Sequence, residues 1–501
     1  MNIYLAEITA YDPGASAVVT WRFASGPGYD NAGTFYAPRL ENPGSVSRAF
    51  AGGIGGKASA SLGEIILTNN DGGLNTLADD FFDGRTLTLK QGDSAAAYAS
   101  FATILVATIE TASFERERIS LRLRDRSVEL DKPFETTKYL GNNALPAGTE
   151  GTADDLKDKV KPRLLGRIAL MAPVCVNTSR LIYQVNDGAV DSIANVYDAG
   201  AYLSRGADYT SAADMQANAP GGGQYRCLES AGMFRLGSAP FGQISACVVE
   251  KWPYLSNTAA GLIQRILTDK GYSAADWIAA DFTTLDQKNA GSLGLLVGDG
   301  ETTASLLDRI CQSVGAWWGF NAQGKFRVAR FEAPAAGDAS VYAFTEADWT
   351  EIDRAPESQL PLWSVTLTAD LNHAVQDRKS LAGVVPEDRA VWFALEAREQ
   401  KIEDAAVKTS RALADEITYE TALNGISIAA AEAQRRLDLY KGRRDVVRLT
   451  AADPSRFAAV DLGAVVSVTT PRFGYTSGKK FIVTGVTVDY ARNQIDFILW
   501  G

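Results

Sequence analysis

The chain of 501 residues carries 49 Lys and Arg against 60 Asp and Glu, a formal charge of −11. That balance disfavours sequence-independent nucleic-acid binding, which needs clustered cations to displace counterions from phosphate, and the length predicts about three to four domains rather than one core. No apolar run reaches the ~18 residues of a membrane span, and the N-terminus MNIYLAEITAYD has no basic region followed by an apolar one, so a soluble, unprocessed chain is expected.

Residues 3–9 and 17–23 alternate apolar with polar or small side chains across a turn at Asp12, Pro13 and Gly14, which predicts an opening hairpin. The stretch 25–57 is polar and glycine-rich. Its AGGIGGKAS superficially resembles a phosphate-binding loop, but Ala51 stands where the first glycine is required and Ala58 where a Ser or Thr should follow the lysine. A flexible loop is expected instead, with 52–56 ordered only by neighbours in an assembly, because four glycines in five residues carry high chain entropy. Residues 62–68 read as a strand running into Asn69, Asn70, Asp71, Gly72 and Gly73. Aligned as a calcium loop, that run puts Leu67 at the first ligand position and Ala78 where the bidentate glutamate is needed, so a turn is expected. Strands at 82–90, 101–110 and 119–124 complete a small antiparallel barrel or sandwich, the first domain at 1–135.

Residues 131–161 are polar and carry Gly141, Pro146, Gly148 and Gly151, which predicts a linker or extended arm. A second β-rich domain is expected over 146–250, with an exposed loop at Pro220 to Gly223. Residues 256–270 place Leu262, Ile263, Ile266 and Leu267 on one helical face, with Ser256 or Asn257 as cap and Gly271 as stop. A second helix is predicted over 302–314: Ala304, Leu306, Leu307, Ile310 and Val314 recur at helical spacing, Thr302 or Thr303 caps the start, and Gly315 fits a left-handed stop. Segments 317–320 and 325–331 then form a hairpin about the four-residue loop 321–324, and such a unit must press its apolar face onto more than two strands. These elements make an α+β domain at 251–360. In the last domain, 361–501, strands are expected at 363–369 and 389–397 and a helix at 428–440 closed by Gly442. Its Glu432 and Arg436 form an i,i+4 pair expected to contribute a few tenths of a kcal/mol. Closing strands follow at 446–450, 464–469, 480–489 and 494–500.

Candidate chemistry is sparse. Cys175, Cys227, Cys247 and Cys311 are too scattered for a paired-CxxC zinc site or a disulfide framework and are expected as buried thiols, although folding could bring Cys175, Cys227 and Cys247 together. His373 is the single histidine and is expected on a loop or the surface. The carboxylate pairs Asp79–Asp80 and Asp154–Asp155 read as solvated faces, and no G-x-S-x-G or HExxH occurs. No catalytic, cofactor-binding or metal residue is therefore assigned, and no cofactor is expected. Tyr183, Tyr197, Tyr202, Tyr209, Tyr225 and Trp252 could serve a receptor- or glycan-binding surface, but aromatic side chains are equally core anchors, which is the reading preferred here.

The two ends of the chain resemble each other. FDGRTLTL at 82–89 followed by FATILVATIETASFERERISLRLR parallels VDLGAVVSV at 460–468 followed by FIVTGVTVDYARNQIDFILW. Each copy reads glycine, strand, loop, long strand, polar turn, strand. A three-strand antiparallel meander gives the same rhythm without any repeat.

Four segments, LTNNDGGLNTLADDFFDGRTLTL, GRIALMAPVCVNTSRLIYQVNDGAVDSIANVYDAGA, ETTASLLDRICQSVGAWWGFNAQGKFRVARF and the terminal DLGAVVSVTTPRFGYTSGKKFIVTGVTVDYARNQIDFILWG, resemble the tail hub protein of tailed bacteriophages. The resemblance implies a multidomain, mainly β chain with two tube-type antiparallel β-barrels, a second β-rich domain and an α+β helix-hairpin domain. It also implies a structural, non-enzymatic homotrimer at the distal tail tip, assembled in the host cytoplasm. Such a ring adapts the hexameric tail tube or distal tail protein to a three-fold tip and lines the channel through which DNA leaves without specific binding. The barrels of 1–130 and 446–501 would alternate around that channel, its wall acidic or neutral, and deletion of 494–500 is expected to abolish assembly more completely than it unfolds the central domain. The chain stops at Gly501 without a fibre or lysozyme-like extension, so a separate fibre or spike protein is expected. The alternatives are a receptor- or glycan-binding tail-tip protein and a tail-associated wall hydrolase.

Overall fold

Alternation of apolar and polar side chains puts one face of each N-terminal strand into a core, and in the computed structural model, which describes residues 1–50, 55–144, 148–251, 257–356 and 360–501, that face closes on a seven-stranded antiparallel sheet. Its order is Ala17–Ala24, Asn2–Asp12, Thr86–Asp93, Ala102–Phe114, Arg118–Arg124, Ile65–Thr68, Leu40–Asn42. Ile8, Phe23, Leu67, Leu87, Leu105 and Leu121 fill its concave side. The expected opening hairpin forms, with Asp12 opposite Ala17. The Asn69 turn is also built as a turn: the Asn69 side chain accepts the Leu74 N–H at 2.8 Å.

At the other end, Tyr342–Phe344, Val465–Val468, Lys479–Asp489, Gln494–Trp500, Val446–Ala452 and Glu351–Ala355 follow one another across a second sheet. The two sheets repeat one plan. In both, a short edge strand (Leu40–Asn42; Glu351–Ala355) pairs with a second strand (Ile65–Thr68; Val446–Ala452), and a 3-10 turn follows (Asn75–Asp79; Pro454–Phe457). A three-strand meander then completes each copy.

Details coincide. Gly84 N–H donates to Ile109 O at 2.9 Å while Ile109 N–H donates to Arg85 O at 2.8 Å; Gly463 N–H donates to Val483 O at 2.8 Å while Val483 N–H donates to Ala464 O at 2.9 Å. Both glycines have positive φ, +72° and +79°. The ladder slips by one residue just after each partner, between Ile109 and Thr111 and between Val483 and Gly485, so the two long strands bend at equivalent bulges. A generic meander would not reproduce a glycine, a bulge and a 3-10 turn at matching places. The copies differ on one flank, where Asn2–Asp12 is antiparallel to its neighbour and Tyr342–Phe344 is parallel.

Between the sheets, the helix Thr303–Val314 begins where the Thr302 side chain accepts the Ser305 N–H at 3.1 Å and ends at Gly315 with φ +63°. Ala316–Phe320 and Phe326–Arg330 form the expected hairpin, except that Lys325 leaves the ladder because the Asn321 side chain accepts its N–H at 2.9 Å. The preceding helix is shorter than expected, Ala259–Asp269, and Thr258 caps it, accepting the Gly261 N–H at 3.3 Å. A helix without a strong sequence stripe, Ala279–Lys288, packs against the hairpin.

Residues 389–397 are not a strand. Glu387–Ala394 is helical, started by Pro386 with Glu387 and Asp388 in its first turn, and it buries Ala390 and Phe393 at three-residue spacing. Leu362–Ala369 sits between Arg398–Glu403 and Asp415–Tyr419 in a three-stranded sheet under the helix Ile426–Tyr440. Two further sheets, led by Leu164–Met171 and Val174–Asn177, enclose a separate core around Ile193, Tyr225 and Phe234. The largest core runs from Phe50 through Leu306 and Trp318 to Trp500, so the helix-hairpin unit and the C-terminal sheet share it.

Candidate assembly interface

The two repeated sheets are joined by part of the stretch expected to be a loose loop. After Leu40–Asn42 the chain leaves the N-terminal sheet, and Ser45–Ala49 lies antiparallel on Lys479–Asp489, Ser45 opposite Asp489 and Ala49 opposite Gly485. Its inward residues are Val46 and Arg48, and Arg48 pairs with Asp461 at 2.8 Å. Ser47 and Thr487 share a hydroxyl hydrogen bond of 2.8 Å. From the opposite side Tyr490 donates to Ile104 O at 3.3 Å and meets the Tyr4 ring at 5.8 Å, entering the N-terminal core. Phe50 stacks on Trp317 with ring centroids 5.0 Å apart.

Gly56–Lys57 then runs parallel to Trp317 and Trp318 and supplies the third strand that the hairpin requires. A Cβ on Gly55 would stand 2.2 Å from Ala316 O, and Gly55 and Gly56 have φ of +89° and +106°, so glycine here serves close approach of two backbones. Asp308 fixes the crossing by accepting the Lys57 N–H and the Trp318 Nε1–H, each at 2.7 Å. The expectation of a loop without its own partners fails for Gly55 and Gly56; Gly52 and Gly53 lie outside the described residues.

The pair Glu432 and Arg436 is no surface ornament. Both are almost fully buried, and Glu432 also takes Arg435 at 2.7 Å and Arg330, while Arg436 reaches Gln312 O. This ties Ile426–Tyr440 to the hairpin and to Thr303–Val314. Burial pushes the Glu432 carboxyl up, and the hydrogen bond from Arg435 with the charges of Arg436, Arg435 and Arg330 overcomes it, leaving the carboxyl below its ordinary value.

Each repeated sheet also has an uncovered edge. On Ala17–Ala24, Ala37 donates to Arg22 O at 3.1 Å and accepts the Ala24 N–H at 2.7 Å, so even-numbered residues aim their backbone outward. Among the described residues no strand covers 17–21 on that side; the Thr20 carbonyl accepts only the Arg22 side chain, at 3.2 Å, in the described bonds. On Glu351–Ala355 the phase follows from the next pair of strands: Asp445 and Gly501 exchange both backbone bonds, which turns Arg448 and Thr450 toward Asp353 and Glu351, so Ile352 and Arg354 aim their backbone outward, and no described strand covers them. Beside the first edge stand Asp12, Asp79, Asp80 and Asp83, with Phe81 56% exposed against Tyr11. At the Ala355 end of the second edge, a cleft of about 600 Å³ is lined by Arg354, Arg411, Arg443 and Arg444, and Arg354 pairs with Asp445 at 2.5 Å.

The residues singled out for chemistry do not converge. Cys227, Cys247 and Cys311 are buried and Cys175 half-buried, all free; burial pushes the Cys227 thiol up to about 12. Among the described residues no group of three or more His, Cys, Asp or Glu could hold a metal ion. His373 is half-buried rather than on a surface loop, pairing opposite Met171, and its Nε2 has no partner among the described residues. Asp80 accepts the Trp21 indole N–H at 2.7 Å and Asp155 accepts the Thr152 N–H at 2.5 Å, which are structural tasks. Tyr183, Tyr197, Tyr209 and Tyr225 are buried, Tyr202 is half exposed, and Trp252 lies outside the described residues. The interface residues Arg48 and Tyr490 carried no sequence signal of their own, since contacts across hundreds of positions leave no local pattern.

No family model matches the chain, and no curated protein does. Among solved structures it is similar to the 43 kDa tail protein of prophage MuSo2 from Shewanella oneidensis, with 9% identity, a TM-score of 0.42, and 94% of this chain and 95% of that one covered. A tail protein from Neisseria meningitidis MC58 gives 9% identity and a TM-score of 0.38 over 99% and 96%. A chain in the virion of a native gene transfer agent particle gives 16% identity and a TM-score of 0.42 over 68% and 84%. These likenesses are too slight to carry an argument about function.

Proposed function

We propose that the chain is a tail hub of a tailed bacteriophage, a structural and non-catalytic virion component at the distal end of the tail tube. Three copies form a ring in which the two repeated sheets of each copy alternate as tube-type barrels. The observation that carries this reading is the duplication itself: matched glycines, bulges and 3-10 turns in the two sheets give one chain two near-equivalent building blocks. Two such blocks in each of three chains present six similar faces to a hexameric tube and three to a tip, which is the adaptor geometry implied by the sequence resemblance. The arm Ser45–Ala49 and Tyr490 support it by fixing the spacing of the two blocks inside each copy.

In this reading residues 1–135 and the strands of 446–501 line the channel, 146–250 builds outward around its own core, and the helix-hairpin unit of 251–360 buttresses the C-terminal sheet with which it shares a core. Distal tail or tube proteins bind above, a fibre or spike protein below, and DNA passes without specific binding. The net charge of −11 fits a lumen that does not hold phosphate. Electron microscopy of the purified protein, alone and mixed with tail tubes, tests the proposal. A three-fold ring with a central hole that caps tube ends is expected; a compact monomer that leaves tubes uncapped would overturn it.

A further inference from the structure

We propose that the open flank of 111–114 receives an extended strand from a second copy, as the matching flank of Lys479–Asp489 receives Ser45–Ala49 from within its own chain. The inference rests on the trimeric reading above and names the joint that closes the ring. In such a ring half of the joints between sheets lie inside single copies, where the arm holds them, and half lie between copies. Near-equivalent sheets call for near-equivalent joints.

Counted from the matched bulges, Thr111 corresponds to Gly485, Ala112 to Val486 and Phe114 to Val488. The phase agrees. Tyr490 N–H donates to Gly44 O at 3.2 Å, so Val486 and Val488 aim their backbone at the arm, with Arg48 and Val46 opposite them. Glu115 N–H donates to Arg118 O at 2.8 Å, which turns Thr111 and Ser113 toward Arg118–Arg124 and leaves Ala112 and Phe114 aimed the other way. On that side Thr86–Asp93 ends opposite Thr108, the bonds of Gly84 and Arg85 reach only Ile109, and among the described residues no strand lies beyond them. Burial agrees as well. Val488, beneath the arm, is half-buried and packs on both sheet cores. Ala112 packs on the N-terminal core, and Phe114, two residues on, shares its face, yet Phe114 is 40% exposed, as a residue still to be covered would be. None of 111–114 is Lys or Pro, the residues that usually blunt a free edge. The duplication also says where the strand comes from. The arm lies in the connection 43–64, between Leu40–Asn42 and Ile65–Thr68, and the counterpart of that connection is 356–445, between Glu351–Ala355 and Val446–Ala452. Two strands within it, Arg398–Glu403 and Asp415–Tyr419, end a three-stranded sheet with outer flanks that no described strand covers.

The test uses the full chain. Ala112→Pro removes an outward N–H without touching the ladder to Arg118–Arg124. It should lose the trimer in light scattering while keeping the wild-type unfolding transition, and Ala112→Ser should keep both. With the photoreactive change Phe114→p-benzoylphenylalanine, ultraviolet light should give covalent dimers and trimers whose cross-linked peptides join position 114 of one copy to 356–445 of another. Hydrogen exchange of the wild type supplies a readout that needs no substitution: the Ala112 and Phe114 amides should exchange slowly in the trimer. A trimer in which those amides exchange freely, which survives Ala112→Pro, or whose cross-links from position 114 fall outside 356–445, overturns the strand pairing and leaves the hub reading standing. A wild type that stays monomeric also overturns the pairing, and capping of tail tubes then judges the hub reading separately.

Discussion

At the scale of single residues, the polar groups that matter most are those the core has taken in. Glu432 balances Arg330, Arg435 and Arg436, and Glu432→Gln would leave three cations around a neutral amide in a site 1% exposed. Breaking a buried pair in this way costs about 3 to 5 kcal/mol, and the urea midpoint of the variant should fall accordingly, against the few tenths of a kcal/mol that i,i+4 spacing alone suggests. His373 has its imidazole pKa lowered by burial and by the charge of Arg309. Its neutral form is therefore favoured on folding, and the stability this supplies is fully present above the unfolded-state value of about 6.5. As pH falls below that value the unfolded chain takes up the proton first, so stability declines until the folded-state pKa is passed. His373→Gln should flatten this part of the profile, read as a smaller difference in urea midpoint between about pH 7.5 and about pH 5.

Elements with a complete local signal are the ones legible beforehand. The helix Thr303–Val314 had a cap, a stripe and a glycine stop within fourteen residues, and all three do those jobs in the structure. The segment 389–397, expected as a strand, carries Val391, Trp392 and Phe393 in succession, and tertiary burial of Ala390 and Phe393 chose the helix instead. The repeat offers a matched test of context. Ala at Gly84 meets nothing within 4 Å and pays only for a left-handed φ, about 1 kcal/mol. Ala at Gly463 takes the same φ penalty and stands 3.0 Å from Trp317 Cζ2, so overpacking should raise the cost to about 2 to 3 kcal/mol. Thermal melts of G84A and G463A compare them directly; equal losses would mean that the Trp317 ring yields freely.

For the whole molecule, the shared core changes what truncation should do. Phe497, Leu499 and Trp500 belong to the same cluster as Leu306, Ile310 and Trp317, and Gln494–Trp500 is an interior strand of its sheet. Deleting 494–500 should therefore unfold the helix-hairpin unit together with the C-terminal sheet, whereas the sequence led to the expectation that assembly would be lost more completely than the central domain unfolds. Limited proteolysis of the truncated chain checks this: cleavage should spread through 257–356 while fragments of the separately cored region 164–250 persist.

The sequence by itself determined the local units. Alternation fixed which strands have a buried face, capping residues and glycines fixed helix ends, and the likeness of 82–124 to 460–500 already held the duplicated meander. What it could not determine is which sheet a short polar strand joins. Ser45–Ala49 and Gly56–Lys57 lie in a stretch with the composition of a loop, and their partners are Lys479–Asp489 and Ala316–Phe320, hundreds of residues away. A strand's hydrogen bonds are satisfied by any backbone in register, so the side chains do not name the partner. Only packing in three dimensions made the arm a clasp between two sheets.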